Sequence, residues 1–191
     1  MTTGARPTTI VTVLGAIIAG LAGLGCGATE GVPVLDTPVA GYVSPASGAC
    51  QTPQNDEEMV GEIVRLVNEV RTGEGLDPVT VDPLLATMAG DYACTMIHDE
   101  YFGHYHPDTG EGPGQRATDV GYSYRAVGEN LAAGQKTPDE VMRDWMNSTE
   151  GHRENILNPM WVHIGVGIRT GGPYGVYWVQ EFGAPWRSIL P

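Results

Sequence analysis

Trp145-Met-Asn-Ser-Thr-Glu-Gly-His-Arg-Glu-Asn-Ile-Leu-Asn-Pro159 concentrates chemistry in a short stretch. It sets Ser148, Glu150, His152, Arg153 and Asn155 on an apolar helical frame of Val141, Met142, Trp145, Met146, Ile156 and Leu157. Upstream stand Gly128-Glu129-Asn130 and an isolated His104. Two histidines and a glutamate on three segments, meeting in one cleft, would suit metal binding or acid–base work. Glu129 lies between Val127 and Leu131. A carboxylate there is expensive to bury unpaired. It either orients, or shares a proton with, His104 or His152, or it makes a structural hydrogen bond that fixes a loop.

The other polar residues admit plainer readings. Ser148 and His152 are four apart and could share a helical face. With Glu150 or Glu129 they outline a hydrolase triad, yet no Gly-x-Ser-x-Gly elbow accompanies them. Capping of the turn before His152 is the competing role for Ser148. His106 is either an accessory ligand or a solvated loop residue; His98 and His163 have no motif around them. Asn155 and Arg153 are expected to tie the turn to a sheet. Tyr177, Trp161, Trp178 and Trp186 read as core or cleft wall.

Periodicity supplies the elements that must carry these groups. Met59, Ile63, Val67 and Val70 fall on one face of a helix expected over 56–71. Asp82-Pro83 and Thr137-Pro138 each pair an N-cap with proline at the first helical position. They open helices to about Asp99 and Asn147. The Gly- and Pro-punctuated segment 101–121 reads as loop. A short strand is expected at 122–127, which puts Glu129 at a strand end, and a helical turn at 152–157. Segments 162–169 and 175–182 alternate as a closing hairpin around Gly171-Gly172-Pro173. Helices followed by strands, with few βαβ units, indicate an α+β fold.

Residues 1–26 have the proportions of a secretory signal: Arg6, an apolar run from Ile10 to Leu24, then Cys26. Two outcomes stay open, lipidation of Cys26 with anchoring to the cell envelope, or cleavage near Ala28 and release. Residues 27–54 read as a flexible tether, and 55–191 as one domain. The net charge of −13, without any block of Lys or Arg, argues against nucleic-acid partners and against electrostatic docking on anionic lipid. The membrane is then reached only through an N-terminal lipid. Outside the cytoplasm the remaining even pair, Cys50 and Cys94, is expected to form a disulfide.

Several blocks together resemble the bacterial branch of the CAP superfamily, which comprises cysteine-rich secretory proteins, antigen 5 and pathogenesis-related protein 1. They are Leu66-Val-Asn68 through Arg71, Phe102-Gly-His104, Gly128-Glu-Asn-Leu-Ala-Ala-Gly134, Trp145-Met-Asn-Ser148, Gly151-His-Arg-Glu-Asn-Ile-Leu157, Ile164-Gly-Val-Gly167 and Tyr177-Trp-Val-Gln-Glu-Phe-Gly183. The resemblance implies a three-layer α-β-α sandwich with a small central antiparallel sheet. It also implies a cleft tetrad of two histidines and two glutamates that holds Zn²⁺ or another divalent cation. His104, Glu129 and His152 match three of the four as metal or catalytic candidates. Ser148 stands at the second glutamate's place, with Glu150 nearby as a further accessory cleft residue. Three functions follow as expectations. One is an extracytoplasmic binding module for a small ligand, lipid or peptide. The second is a metal-assisted hydrolase of peptide or cell-wall material. The third is a non-catalytic surface interaction domain.

Overall fold

In the computed structural model, residues 9–10 and 49–186 are described. Cys26, the rest of the expected signal apart from Thr9–Ile10, and residues 27–48 of the expected tether lie outside them. Helix α1, Asp56–Gly73, buries Met59, Ile63, Val67 and Arg71 on one stripe. Helix α2, Pro83–His98, starts as the cap pattern requires: the Asp82 carboxylate accepts from the Leu84 and Leu85 amides, and Pro83 occupies the first turn. Helix α4, Pro138–Met146, repeats this with Thr137, whose side chain accepts from the Glu140 amide.

The strands are β1 (Thr9–Ile10), β2 (Thr80–Val81), β3 (Tyr124–Ala133), β4 (His163–Gly171) and β5 (Gly175–Pro185), in spatial order β1-β3-β5-β4-β2. β3, β5 and β4 are antiparallel neighbours. The two-residue edge strands run parallel to theirs, so the sheet is mixed and its centre alone is antiparallel. The β4–β5 hairpin closes through glycines, with Gly172 and Gly175 at φ 58° and 80°.

Layering follows from the alternation of the central strands. One face bears Ala126, Trp178 and Phe182 and packs against Met59, Ile63, Val67, Val141, Trp145 and Ile156 of α1, α4 and the short helix α5 (His152–Ile156). The other bears Val127, Leu131, Tyr177 and Val179 beneath α2 and the helix α3, Pro113–Asp119. Helix α2 lies close on β4 because Gly165 and Gly167 stand there; a Cβ at either would strike the helix backbone at Leu85–Ala86 or Ala89–Gly90. This is the α-β-α sandwich expected. Cys50 and Cys94 form a disulfide that ties the segment before α1 to α2, with their Cα atoms 5.3 Å apart.

Three expectations need correction. The 101–121 segment is not all loop, because Gly112-Pro113 opens α3 by the same first-turn proline rule. The strand at 122–127 extends to Ala133, which places Glu129 in mid-strand instead of at an end. Ser148 and His152 do not share one helical face: α4 stops at Met146, and Gly151, at φ 93°, breaks the chain before α5.

Candidate functional site

Glu129 is fully buried, and each of its carboxylate oxygens has a basic partner. Oε1 lies 2.6 Å from His104 Nδ1, and Oε2 accepts from Arg116 Nη2 at 2.6 Å. Arg116 comes from α3 and is itself buried. It also donates to the His104 and Glu111 carbonyls, and its guanidinium lies 3.3 Å over the centre of the Tyr92 ring. The Tyr92 hydroxyl reaches back to the Gly103 carbonyl. A buried polar chain, Arg116–Glu129–His104, is thus built from α3, β3 and the loop after α2. Burial alone would raise the Glu129 pKa, but Arg116 and then His104 outweigh it and hold the carboxyl below its ordinary range.

Directly across the sheet from Glu129 stands Glu181 of β5, also fully buried. Burial first, and then the facing Glu129 carboxylate, push its carboxyl well above the ordinary range. Neither Glu181 oxygen has a donor within hydrogen-bond reach.

His152 enters from α5 and is 4 % exposed. Its backbone is pinned from the sheet's other face: Asn130 Nδ2 donates to the His152 carbonyl at 3.2 Å and to Gln180 Oε1 at 2.9 Å. Asn155 Nδ2 donates to Asn130 Oδ1 at 3.0 Å, which is the tie between turn and sheet expected of Asn155. α5 can come this close because Gly128 leaves room for Asn155 and the Trp161 ring. From below, buried Arg71 donates to the carbonyls of Asp77, Ile156 and Asn158 at 2.7–3.0 Å and clamps the C-terminal end of α5 to α1. The His152 imidazole titrates down near 4, because burial and then the neighbouring His104 disfavour its charged form. Its Nε2 is buried with no hydrogen-bond partner.

Of the three expected site residues, His104 and Glu129 are in contact, and His152 lies within electrostatic reach of His104. Ser148 is half-buried and its Oγ accepts from the Glu150 amide at 3.0 Å, so it caps the turn; Glu150 is exposed. His106 pairs with Asp99 at 3.0 Å, His163 Nδ1 lies 2.9 Å from the Tyr122 hydroxyl, and Arg153 lies at the surface, 3.5 Å from Glu74. Trp161 and Trp178 are core, whereas Trp186 is 43 % exposed. Among the described residues no three His, Cys, Asp or Glu side chains form a ready metal cage.

Reading the sequence missed Arg116 and Glu181. A signal existed for Glu181, a lone acid inside the apolar run Val176–Phe182. For Arg116 it was the proline-initiated helix hidden among glycines.

The fold and its buried ionic cluster place the protein in the class of SCP-type α-β-α sandwiches. Its sequence fixes the family: residues 64–182 match the model of the CAP, or cysteine-rich secretory protein, family, and the chain belongs to it. It is 44 % identical over 121 residues, 63 % of this chain and 45 % of the relative, to the protein YkwD of Bacillus subtilis (strain 168). It is 29 % identical over 125 residues to the membrane protein YlbC of the same organism, 65 % of this chain and 34 % of that one. The chain thus spans less than half the length of these relatives. Among solved structures it resembles an extracellular protein containing an SCP domain from Bacillus anthracis str. Ames. That match has 28 % identity and a TM-score of 0.57, over 66 % of this chain and 40 % of that one. An outer surface protein of Borrelia burgdorferi shares the fold, at 23 % identity and TM-score 0.64, over 72 % of this chain and 99 % of that one.

Proposed function

We propose that the protein is an extracytoplasmic binding module whose cleft takes up a divalent cation between His104 and His152, together with a small ligand, lipid or peptide. The observation that carries this is the buried, unpartnered Nε2 of His152 on an imidazole kept neutral beside His104. A neutral imidazole nitrogen is a ligand for zinc and related ions, and a buried one without a partner is costly unless something satisfies it. Glu129 serves as orienter and not as ligand, because both its oxygens are engaged. By holding Nδ1 it fixes the orientation of the His104 ring. Two imidazoles leave the remaining coordination positions to solvent or ligand. Similarity to an extracellular SCP-domain protein supports placement outside the cytoplasm, and no helix among the described residues is long and apolar enough to cross a membrane. Lipidation of Cys26 would then supply the tether to the envelope.

Calorimetric titration of tag-free protein with zinc chloride tests the reading. One site per chain is expected, lost in His104→Ala and in His152→Ala, with both variants still folded. Zinc uptake that both variants retain would refute it.

A further inference from the structure

Glu181 is the buried acid for which the cation reading has no use. Its Cα stands opposite that of Glu129 in the β3–β5 ladder, and both side chains are fully buried on the α2 face. Opposed residues in such a ladder hold their side chains close enough to interact directly. The Glu129 oxygens are taken by His104 and Arg116, whereas those of Glu181 meet no donor. Its neighbour on β4 is Gly165, and the α2 backbone at Leu85–Ala86 covers that position, so water is kept away. Two ionised carboxylates facing each other in such a place, with the one guanidinium bonded to Glu129, would repel and stay unsolvated. One proton removes both penalties, since a protonated carboxyl gains the donor that a carboxylate lacks.

We propose that Glu181 is a positioning residue of the cleft: a protonated carboxyl that donates to Glu129 and so fixes the carboxylate that orients the His104 ring. It makes Glu129 the acceptor of three donors, from His104, Arg116 and Glu181. The groups around this pair are Arg116 from α3, His104 and the Tyr101 phenol from the segment between α2 and α3, and the Tyr92 phenol from α2; β4 contributes only Gly165. Burial and the Glu129 charge both favour the proton on Glu181. Loss of that proton as pH rises sets Glu181 against Glu129 for Arg116 and loosens the hold on His104. The arrangement does not depend on a cation being bound.

The test uses chelator-treated full-length protein labelled with ¹³C at glutamate side chains and ¹⁵N at histidine. At neutral pH the Glu181 carboxyl carbon is expected at the protonated-acid position, moving to the carboxylate position only as pH is raised further. The His104 Nδ1 resonance should shift with the same midpoint. Glu181→Gln, which keeps a permanent donor, should leave the His104 resonance still across that range. A Glu181 carbon already at the carboxylate position at neutral pH overturns the proposal, and so does a His104 shift that survives in Glu181→Gln. If that variant does not fold, different midpoints for Glu181 and His104 in the unsubstituted protein overturn it equally. Zinc is absent throughout, so failure of the cation reading leaves this result unaffected.

Discussion

Acidification should attack the fold through His152, and the size of the effect follows from its surroundings. Its imidazole titrates near 4 in the folded protein, against an ordinary 6.5. At about 1.4 kcal/mol per pH unit, this gap corresponds to about 3 kcal/mol. The sign is fixed by proton uptake. Between the two values the unfolded chain binds a proton that the folded chain refuses. The stabilisation is therefore complete above the unfolded value and is lost as pH falls toward the folded one. Glu181 works in the opposite direction. Its raised pKa means the folded state binds the proton first, so acidification through that range strengthens the fold. The two slopes oppose each other, so a pH–stability curve of the unsubstituted protein alone would not isolate the histidine. The difference from His152→Gln isolates the histidine, because glutamine does not titrate and any constant cost cancels. Urea unfolding of chelator-treated protein in steps from about pH 7 to about pH 4 should show the unsubstituted protein losing on the order of 3 kcal/mol relative to the variant. Parallel curves for the two proteins would refute the reasoning about the buried, neutral imidazole.

Other outcomes follow from single contacts. Reducing the Cys50–Cys94 bridge, which spans 44 residues, should cost about 4 kcal/mol in the loop-entropy model, read as a fall in thermal midpoint on adding reductant. Arg71→Met leaves the carbonyls at the end of α5 unpaired and should destabilise by roughly 3 kcal/mol, measured by chemical denaturation. Gly165→Val drives a side chain into the α2 backbone and should cost about 3 kcal/mol or more, with loss of near-ultraviolet circular dichroism at a lower temperature.

The fold was legible because caps and periodicity agree over most of its length. Asp82-Pro83 and Thr137-Pro138 mark helix starts that the structure keeps, and Gly171-Gly172-Pro173 marks the hairpin. Where two signals competed, the sequence misled. Gly112, Pro113 and Gly114 look like loop punctuation, yet Pro113 opens a helix because Arg116 gains Glu129 and Tyr92 on burial. Glu129 could be recognised as costly in an apolar run. Its mid-strand place could not, since β3 is held by pairing with β5 at long range. Glu181 was hidden for a related reason. Its partner is set by register across the sheet, which no local pattern encodes.

Anomalous scattering from a crystal soaked in zinc would test the central claim most directly. The account predicts one strong peak about 2 Å from both His104 Nε2 and His152 Nε2, with His104 Nδ1 still bound to Glu129. A peak elsewhere, for example at His106 and Asp99 on the loop, with none between the two buried imidazoles, would contradict it.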